Sequence, residues 1–416
     1  MSAAMPGSLR EALVASLEFM PLGEPAGNVT IGRGRLDGRA VHVALVENRA
    51  ASGAIGAVEA EKLGALLRLA TLERSRIVLY LDSAGAKVSE GLQALGAFRR
   101  LFRFGLDAAL AGAPIAAVLG RNCFGGSSML AHLALRRLLG PDTRMGMSGP
   151  AVLAAAAGMD PLDEMFAAMA QSAMAPAARA RASPANAEWK PGDELAPWLR
   201  EALASLADAP SAFAARHDAL AARLARALPG PAWEPLRRRD LERIYAAGYE
   251  VREWQGLVEG RGRAAEGEER LLGIVGDKPL GADPAWRFAD AAWRLARERP
   301  PRLRVLLDCS THAARLEEES LVLSEYVVDM SFALAAAARA GVEVTLTVLG
   351  KAGGGVYVAL AAPARRVQSV HGADIQVLPG SAVAAILGES RDAVPSFDNY
   401  RQAGVADEEL KLGLTP

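Results

Sequence analysis

Apolar and polar positions alternate through VTIGRGRL (29–36) and RAVHVALVEN (39–48), and Asp37-Gly38 stands between them. That pair tolerates the positive φ of a two-residue turn, so a β-hairpin is predicted. The GRGRLDG string inside it opens no helix and carries little weight as a nucleotide loop. Helical periodicity follows over 57–72. A continuous apolar run, RIVLYLD, then ends at Asp82 and reads as a strand buried on both faces. A helix over 90–104, a second buried strand APIAAVLG (113–120) and the pair Gly125-Gly126 opening another helix complete the grammar of right-handed βαβ units.

Residues 160–245 change character. Ala, Arg and Leu dominate, broken by SPANAEWKPGDELAPW and LPGPAWEP, which predicts a helical connector over 161–245. The first pattern then returns: RLLGIVGDK as a strand, a helix over 284–299, RLRVLLD ending at Asp308, a long helix over 317–340, VEVTLTVLG, and Gly353-Gly354-Gly355 before a helix. VLYLDSAGAK (78–87) parallels RVLLDCSTHA (304–313), and AAVLGRNCFGGSSMLAHLALRR (116–137) parallels TLTVLGKAGGGVYVALAAPARR (345–366). Asp82 and Asp308 are 226 positions apart, Gly126 and Gly355 229. An offset held through strand, loop and helix predicts an internal duplication of one α/β domain. The expected domains are 1–160, the connector 161–245, and 246–416.

Composition narrows the chemistry. Of 416 residues, 51% are apolar and 23% charged, enough to bury a large core. Forty-seven basic against 48 acidic residues, with no charged block, argue against a nucleic-acid partner. Two distant cysteines, Cys123 and Cys309, exclude a disulfide scaffold and a Cys-cluster zinc site, so no metal is expected. Arg10 and Glu11 interrupt any secretory core near the start, and the longest apolar stretches fall short of the ~20 residues of a membrane span. A cytoplasmic protein with no membrane partner is expected.

Each repeat offers two loops whose main-chain NH groups could converge: the turn after Asp82 or Asp308, and the glycine turn opening a helix. Two such loops together make an oxyanion hole, each donor contributing roughly 3–4 kcal/mol to a developing enolate or tetrahedral oxygen. One isolated glycine pair is better read as close packing, but recurrence at matching places in both repeats favours function.

DSAGAKVSE (82–90), GRNCFGG (120–126) and RMGMSGP (144–150) resemble the β subunit of biotin-independent malonate decarboxylase, in the carboxyltransferase branch of the crotonase superfamily. DCSTHAARLEEE (308–319) and VLGKAGGGVYVALAAPARR (348–366) resemble that enzyme's γ subunit. The resemblance covers roughly 29–150 and 254–385. Ala84, Lys87, Asn122, Ser310 and His312 depart from the family pattern. The resemblance implies two crotonase-like (ββα spiral) domains joined by the helical connector. It also implies loss of CO2 from a malonyl thioester, leaving an acetyl thioester. The oxyanion-hole assignment carries to Gly85, Ala86, Gly125 and Gly126 in the first repeat, and to Thr311, His312, Gly354 and Gly355 in the second. Lys351, Ser127 and Gly149 are the candidate substrate-binding residues. No tightly bound cofactor is implied. The thiol would belong to an acyl carrier protein or to CoA, either one a phosphopantetheine-type carrier. A homodimer or higher homo-oligomer is expected. The competing expectations are a biotin-dependent acyl-CoA carboxyltransferase and a non-catalytic subunit of such a complex.

The residues agree with this chemistry, because loss of CO2 from a β-carboxyl thioester needs a held enolate oxygen and a proton for the α-carbon, not a nucleophile. His312 is the one histidine in a proposed hole and a candidate proton donor, although a loop histidine is more often a hydrogen-bonded structural group. His42 and His132 read as structural. Cys123 reads as a buried small hydrophobe before it reads as a thiolate. Lys351, after the strand end Leu349-Gly350, reads equally as a group touching a carboxylate or a phosphate and as a solvated side chain. Glu317, Glu318 and Glu319 read as the acidic first turn of a helix.

Overall fold

In the computed structural model, which describes residues 7–158, 163–206, 208–224, 232–378, 383 and 394–412, Asp37 and Gly38 take φ of 52° and 74°. Both are left-handed, the turn whose twist suits a hairpin. They join β1 (Val29–Leu36) to β2 (Arg39–Val46) in antiparallel register. From β2 onward the sheet turns parallel: β3 (Arg76–Ser83) pairs with β2, β4 (Ile115–Phe124) with β3, and both β5 (Arg136–Leu139) and β6 (Arg144–Gly146) with β4. Short strands Met20–Pro21 and Asn186–Glu188 complete an eight-stranded sheet. Helices α1 (Ala57–Glu73) and α2 (Leu92–Leu110) supply the crossovers, and α3 (Gly126–Ala131) follows β4.

The second half repeats the plan. β7 (Leu257–Ala264) and β8 (Gly267–Ile274) form the hairpin, and β9 (Arg302–Cys309), β10 (Glu343–Gly353), β11 (Arg366–Val370) and β12 (Asp374–Gln376) follow in parallel. With Glu234–Pro235, Tyr249–Trp254 and Glu408–Leu410 this sheet has nine strands. The helices are α4 (Ala282–Glu298), α5 (Leu316–Ser320), α6 (Leu323–Arg339) and α7 (Gly354–Ala361). The duplicated α/β architecture is therefore present among the described residues.

Covering on both faces explains the unbroken apolar runs. All of Ile77–Leu81 and Val305–Leu307 are buried. One face of the first sheet packs Val41, Val43, Val78 and Val118 against Leu13, Leu17, Trp189 and Leu199. In the second, Val258, Leu271 and Leu306 pack against Leu241 and Tyr245. Among the described residues, no helix is long and apolar enough to cross a membrane.

Three differences from the sequence reading stand out. The chain forms two compact units, not three consecutive blocks: Met1–Lys87, Arg100–Ala212 and Ala314–Glu325 make unit 1, and Val88–Arg99, Phe213–Ala313 and Tyr326–Pro416 make unit 2. The expected connector is accordingly shared between them, and it contributes Asn186–Glu188 to the first sheet and Glu234–Pro235 to the second. Its LPGP stretch, 228–231, lies outside the described residues. Finally, the helix expected over 317–340 is two, α5 and α6, because Val322 between them adopts φ of 63°, a conformation that ends a helix and that a β-branched residue rarely takes.

Candidate functional site

In unit 1, β3 and β4 keep register to Leu81↔Leu119 and resume it at Ser83↔Cys123, so four positions of β4 span two of β3. Asp82 occupies the gap. Its carboxylate accepts the Asn122 NH at 3.0 Å, and glycine is needed at 120 because a Cβ there would lie 2.6 Å from the Asp82 Cβ. Burial pushes the Asp82 carboxyl up, with the Asn122 and Arg121 amides opposing. Past Ser83, the Ile55 NH donates to the Gly85 carbonyl and the Lys87 NH to the Ile55 carbonyl. This parallel bridge turns the Ala86 NH away from Ile55. Gly85 has φ of 99°, and a Cβ on it would sit 2.7 Å from the Phe124 carbonyl oxygen and 3.0 Å from the Gly126 nitrogen. The two loops therefore touch.

The four expected donors of this repeat reduce to two. The Gly85 NH donates to Ser83 Oγ at 3.1 Å, and the Gly125 NH to the Gly146 carbonyl at 3.2 Å. The NH groups of Ala86 and Gly126 have no partner among the described residues. Gly125, with φ of 53° and ψ of −125°, makes the turn that aims Gly126, the first residue of α3. Ser127 is buried, its hydroxyl 3.9 Å from Cys123 Sγ. Gly149 caps the helix Pro150–Ala156, and a Cβ there would lie 3.8 Å from the Phe124 ring, at the edge of the turn.

Sequence reasoning missed Glu319. Fully buried, it accepts the Ser148 NH at 2.6 Å and the Met147 NH at 3.0 Å. Arg179, equally buried, lies 3.7 Å from its carboxylate and donates to the Met145 carbonyl and to the carbonyl of Glu319. Burial pushes the Glu319 carboxyl up while Arg179 and the two amides hold it down. Gly146, which accepts the Gly125 NH, precedes the two anchored residues, so the carboxylate braces the backbone beside the glycine turn. No local pattern signals this, because its partners are 140 to 172 residues away.

Unit 2 repeats the construction with changes. Register runs to Leu307↔Val348 and resumes at Cys309↔Ala352, the same two-against-four step. Asp308 accepts the Lys351 NH at 3.0 Å as Asp82 accepts that of Asn122. Leu280 bridges Thr311–Ala313 as Ile55 bridges Gly85–Lys87. Gly354, φ 50°, matches Gly125, and a Cβ on Gly353 would lie 2.2 Å from the Ser310 carbonyl oxygen, so these loops also converge, with Gly354 and Gly355 opening the helix beside them. Thr311, however, lies outside the left-handed region that its counterpart Gly85 occupies. The Lys351 ammonium meets a carboxylate of its own chain, Asp277, at 2.8 Å, and Asp277 in turn accepts the Ser310 NH at 3.0 Å.

Two candidate groups are displaced from direct proton or acyl chemistry. The His312 ring is buried, and burial lowers its pKa to about 4. Neutral at pH 7, it keeps one ring N–H but lacks the imidazolium that would act as an acid there. Cys123 is buried and pushed up to about 12 by burial, a thiol and not a thiolate. His42, on Glu73, and His132, on Ser324, are hydrogen-bonded groups of the interior.

Residues 8–175 match the model of the carboxyl transferase domain. Over 130 residues, 31% of this chain, the protein is 33% identical to a propionyl-CoA carboxylase carboxyltransferase subunit of Haloferax mediterranei, covering 25% of it. Over 137 residues, 33% of the chain, it is 29% identical to the methylmalonyl-CoA carboxyltransferase 12S subunit of Propionibacterium freudenreichii subsp. shermanii, covering 26%. The matched stretch spans about a quarter of these relatives' length. Among solved structures, a Pseudomonas malonate decarboxylase hetero-tetramer in complex with malonate aligns with 53% of this chain and 91% of its own, at 24% identity and a TM-score of 0.46.

Proposed function

We propose that the protein removes CO2 from a malonyl-type thioester, the enolate oxygen being held by the NH groups of Ala86 and Gly126. The observation that carries this reading is the approach of the Gly85–Ala86 loop to the Gly125–Gly126 turn, with those two donors left unpartnered. In the step, the electrons of the bond between the α-carbon and the free carboxylate pass to the thioester carbonyl oxygen, CO2 leaves, and the enolate takes a proton at the α-carbon. Two aimed amides stabilise that oxygen as it gains charge. His312 and Cys123 take no covalent or proton-transfer part, so water supplies the proton. The convergent loops of unit 2, through Thr311, His312, Gly354 and Gly355, would form a second hole of the same kind, with Lys351 on the strand that leads into it. The thioester is carried by CoA or by an acyl carrier protein, no bound cofactor is required, and the working form is a homo-oligomer.

A second reading, transfer of the carboxyl group between biotin and an acyl thioester, is favoured by the carboxyl transferase domain match and by the names of both relatives. The same held enolate would serve it. The test is release of labelled CO2 from malonyl-CoA and from malonyl carrier protein, with and without a biotin carrier. Release without the carrier is the expected result. Label recovered on the biotin carrier, with no CO2 released in its absence, establishes the transferase, and neither release nor transfer from either thioester overturns both.

A further inference from the structure

We propose that unit 2 carries a separate groove for a small diphosphate-bearing ligand, built from Arg252, Arg261 and Arg270 on its antiparallel strands and from Arg237 in the segment before them. The cavity is ≈ 510 Å³, within the range of small-molecule sites. Its lining sets four guanidinium groups against two carboxylates, Glu250 and Glu259. The strand register explains how the charge gathers. Arg261 stands opposite Arg270 across β7 and β8, and opposite Glu250 on its other side. Like charges at facing positions destabilise a sheet unless something neutralises them.

The first repeat shows what usually fills that place. The matching pair, Arg33 and His42, is closed by one carboxylate at the end of α1: Glu73 reaches Arg33 at 2.9 Å and His42 at 2.8 Å. In unit 2 the residue ending α4, Glu298, approaches Arg270 only to 3.5 Å, and Arg261 turns instead to the highly exposed Glu250 at 2.8 Å. Arg252 is held by Glu259 at 2.9 Å. Arg237 has no carboxylate partner among the described residues; its guanidinium lies 5.5 Å over the Tyr249 ring. So the scaffold that is internally neutralised in one repeat is left, in the other, open to a cavity with surplus positive charge. Guanidinium forks match phosphate oxygens two at a time, and a pair of linked phosphates is the small anion that spans neighbouring forks. Exposed partners such as Glu250 yield readily to such an anion, because surface ion pairs are weak.

The experiment is calorimetric titration of the full chain with pyrophosphate, ADP and adenosine. Saturable binding of pyrophosphate is expected, with none of adenosine; ADP binding in addition identifies a nucleotide as the source of the diphosphate, and its absence identifies free diphosphate. The Arg237→Ala/Arg261→Ala double variant should bind roughly tenfold or more weakly, and Glu250→Gln, which frees Arg261, about threefold more tightly. Melting curves check that each variant is folded, and if the double variant is not, the Glu250→Gln gain decides. No saturable binding of pyrophosphate or ADP at millimolar concentration overturns the proposal. So does binding unchanged in the folded double variant, or undiminished in high salt. None of these readouts depends on thioester turnover.

Discussion

Gly126 and Cys123 lie three residues apart at one turn and separate two mechanisms. The positive φ of this turn belongs to Gly125, and Gly126 is the first residue of α3, a position where proline is tolerated. Gly126→Pro therefore removes one NH with little demand on the fold, and turnover is expected to fall on the order of 100- to 1000-fold while the melting temperature holds. Cys123→Ser, at a buried protonated thiol, should keep most of the activity. A dead, stable Cys123→Ser protein would instead establish a covalent acyl intermediate. His312 gives a pH test. Its folded pKa of about 4 lies below the unfolded value of about 6.5, so both states are neutral at pH 7 and the residue then contributes nothing through protonation. As pH falls from 6.5 toward 4, only the unfolded chain gains the proton, and stability drops by roughly 3 kcal/mol before levelling. Urea midpoints measured from pH 7 to 4 should fall less in His312→Asn than in the wild type. Parallel curves would show that the ring titrates normally.

At the scale of elements, the glycine turn is held from the side by a strand. β6 receives the Gly125 NH at Gly146, and the next two amides are fastened by Glu319. Glu319→Gln keeps the shape but turns an NH2 toward amides that need an acceptor, and removes the negative charge that faces Arg179. Breaking a buried, hydrogen-bonded charge in this way costs about 3–5 kcal/mol. The expected outcome is a lowered melting temperature together with a kcat loss larger than any rise in KM, since the turn is displaced and the thioester contacts are not. Normal kcat in a destabilised variant would show that the brace is structural alone. The register step between the two central strands is the other element-scale device. It appears in both repeats, with Asp82 or Asp308 accepting an amide of the bulged strand, so the offset seen in the sequence reports a shared three-dimensional construction.

For the whole molecule, chemistry that needs neither metal nor biotin predicts CO2 release unaffected by exhaustive chelation or by avidin; loss of turnover with either reagent would end the decarboxylase reading. Sedimentation should show a homo-oligomer, and an active 43.6 kDa monomer at micromolar concentration would refute that expectation. The duplication, the first hairpin and the buried strands were legible because each is written locally: strand-forming residues at Val29–Leu36, Asp37-Gly38 at the turn, and Ile77–Leu81 apolar throughout. The glycine pairs were legible as turns for the same reason, since only glycine serves at Gly125 and Gly354. Which amides stay available was not. It depends on Ser83 Oγ taking the Gly85 NH and Gly146 taking that of Gly125, pairings that exist only once the loops are folded against their neighbours. Distance along the chain hid the rest. Glu319 looked like one of three helix-starting acids until the fold carried it to Met147 and Ser148, and His312 looked like a proton donor until burial removed the water that would let it hold a charge. Local periodicity determines the elements; hydrogen-bond partners and burial, which are long-range, decide which of their atoms are left to do chemistry.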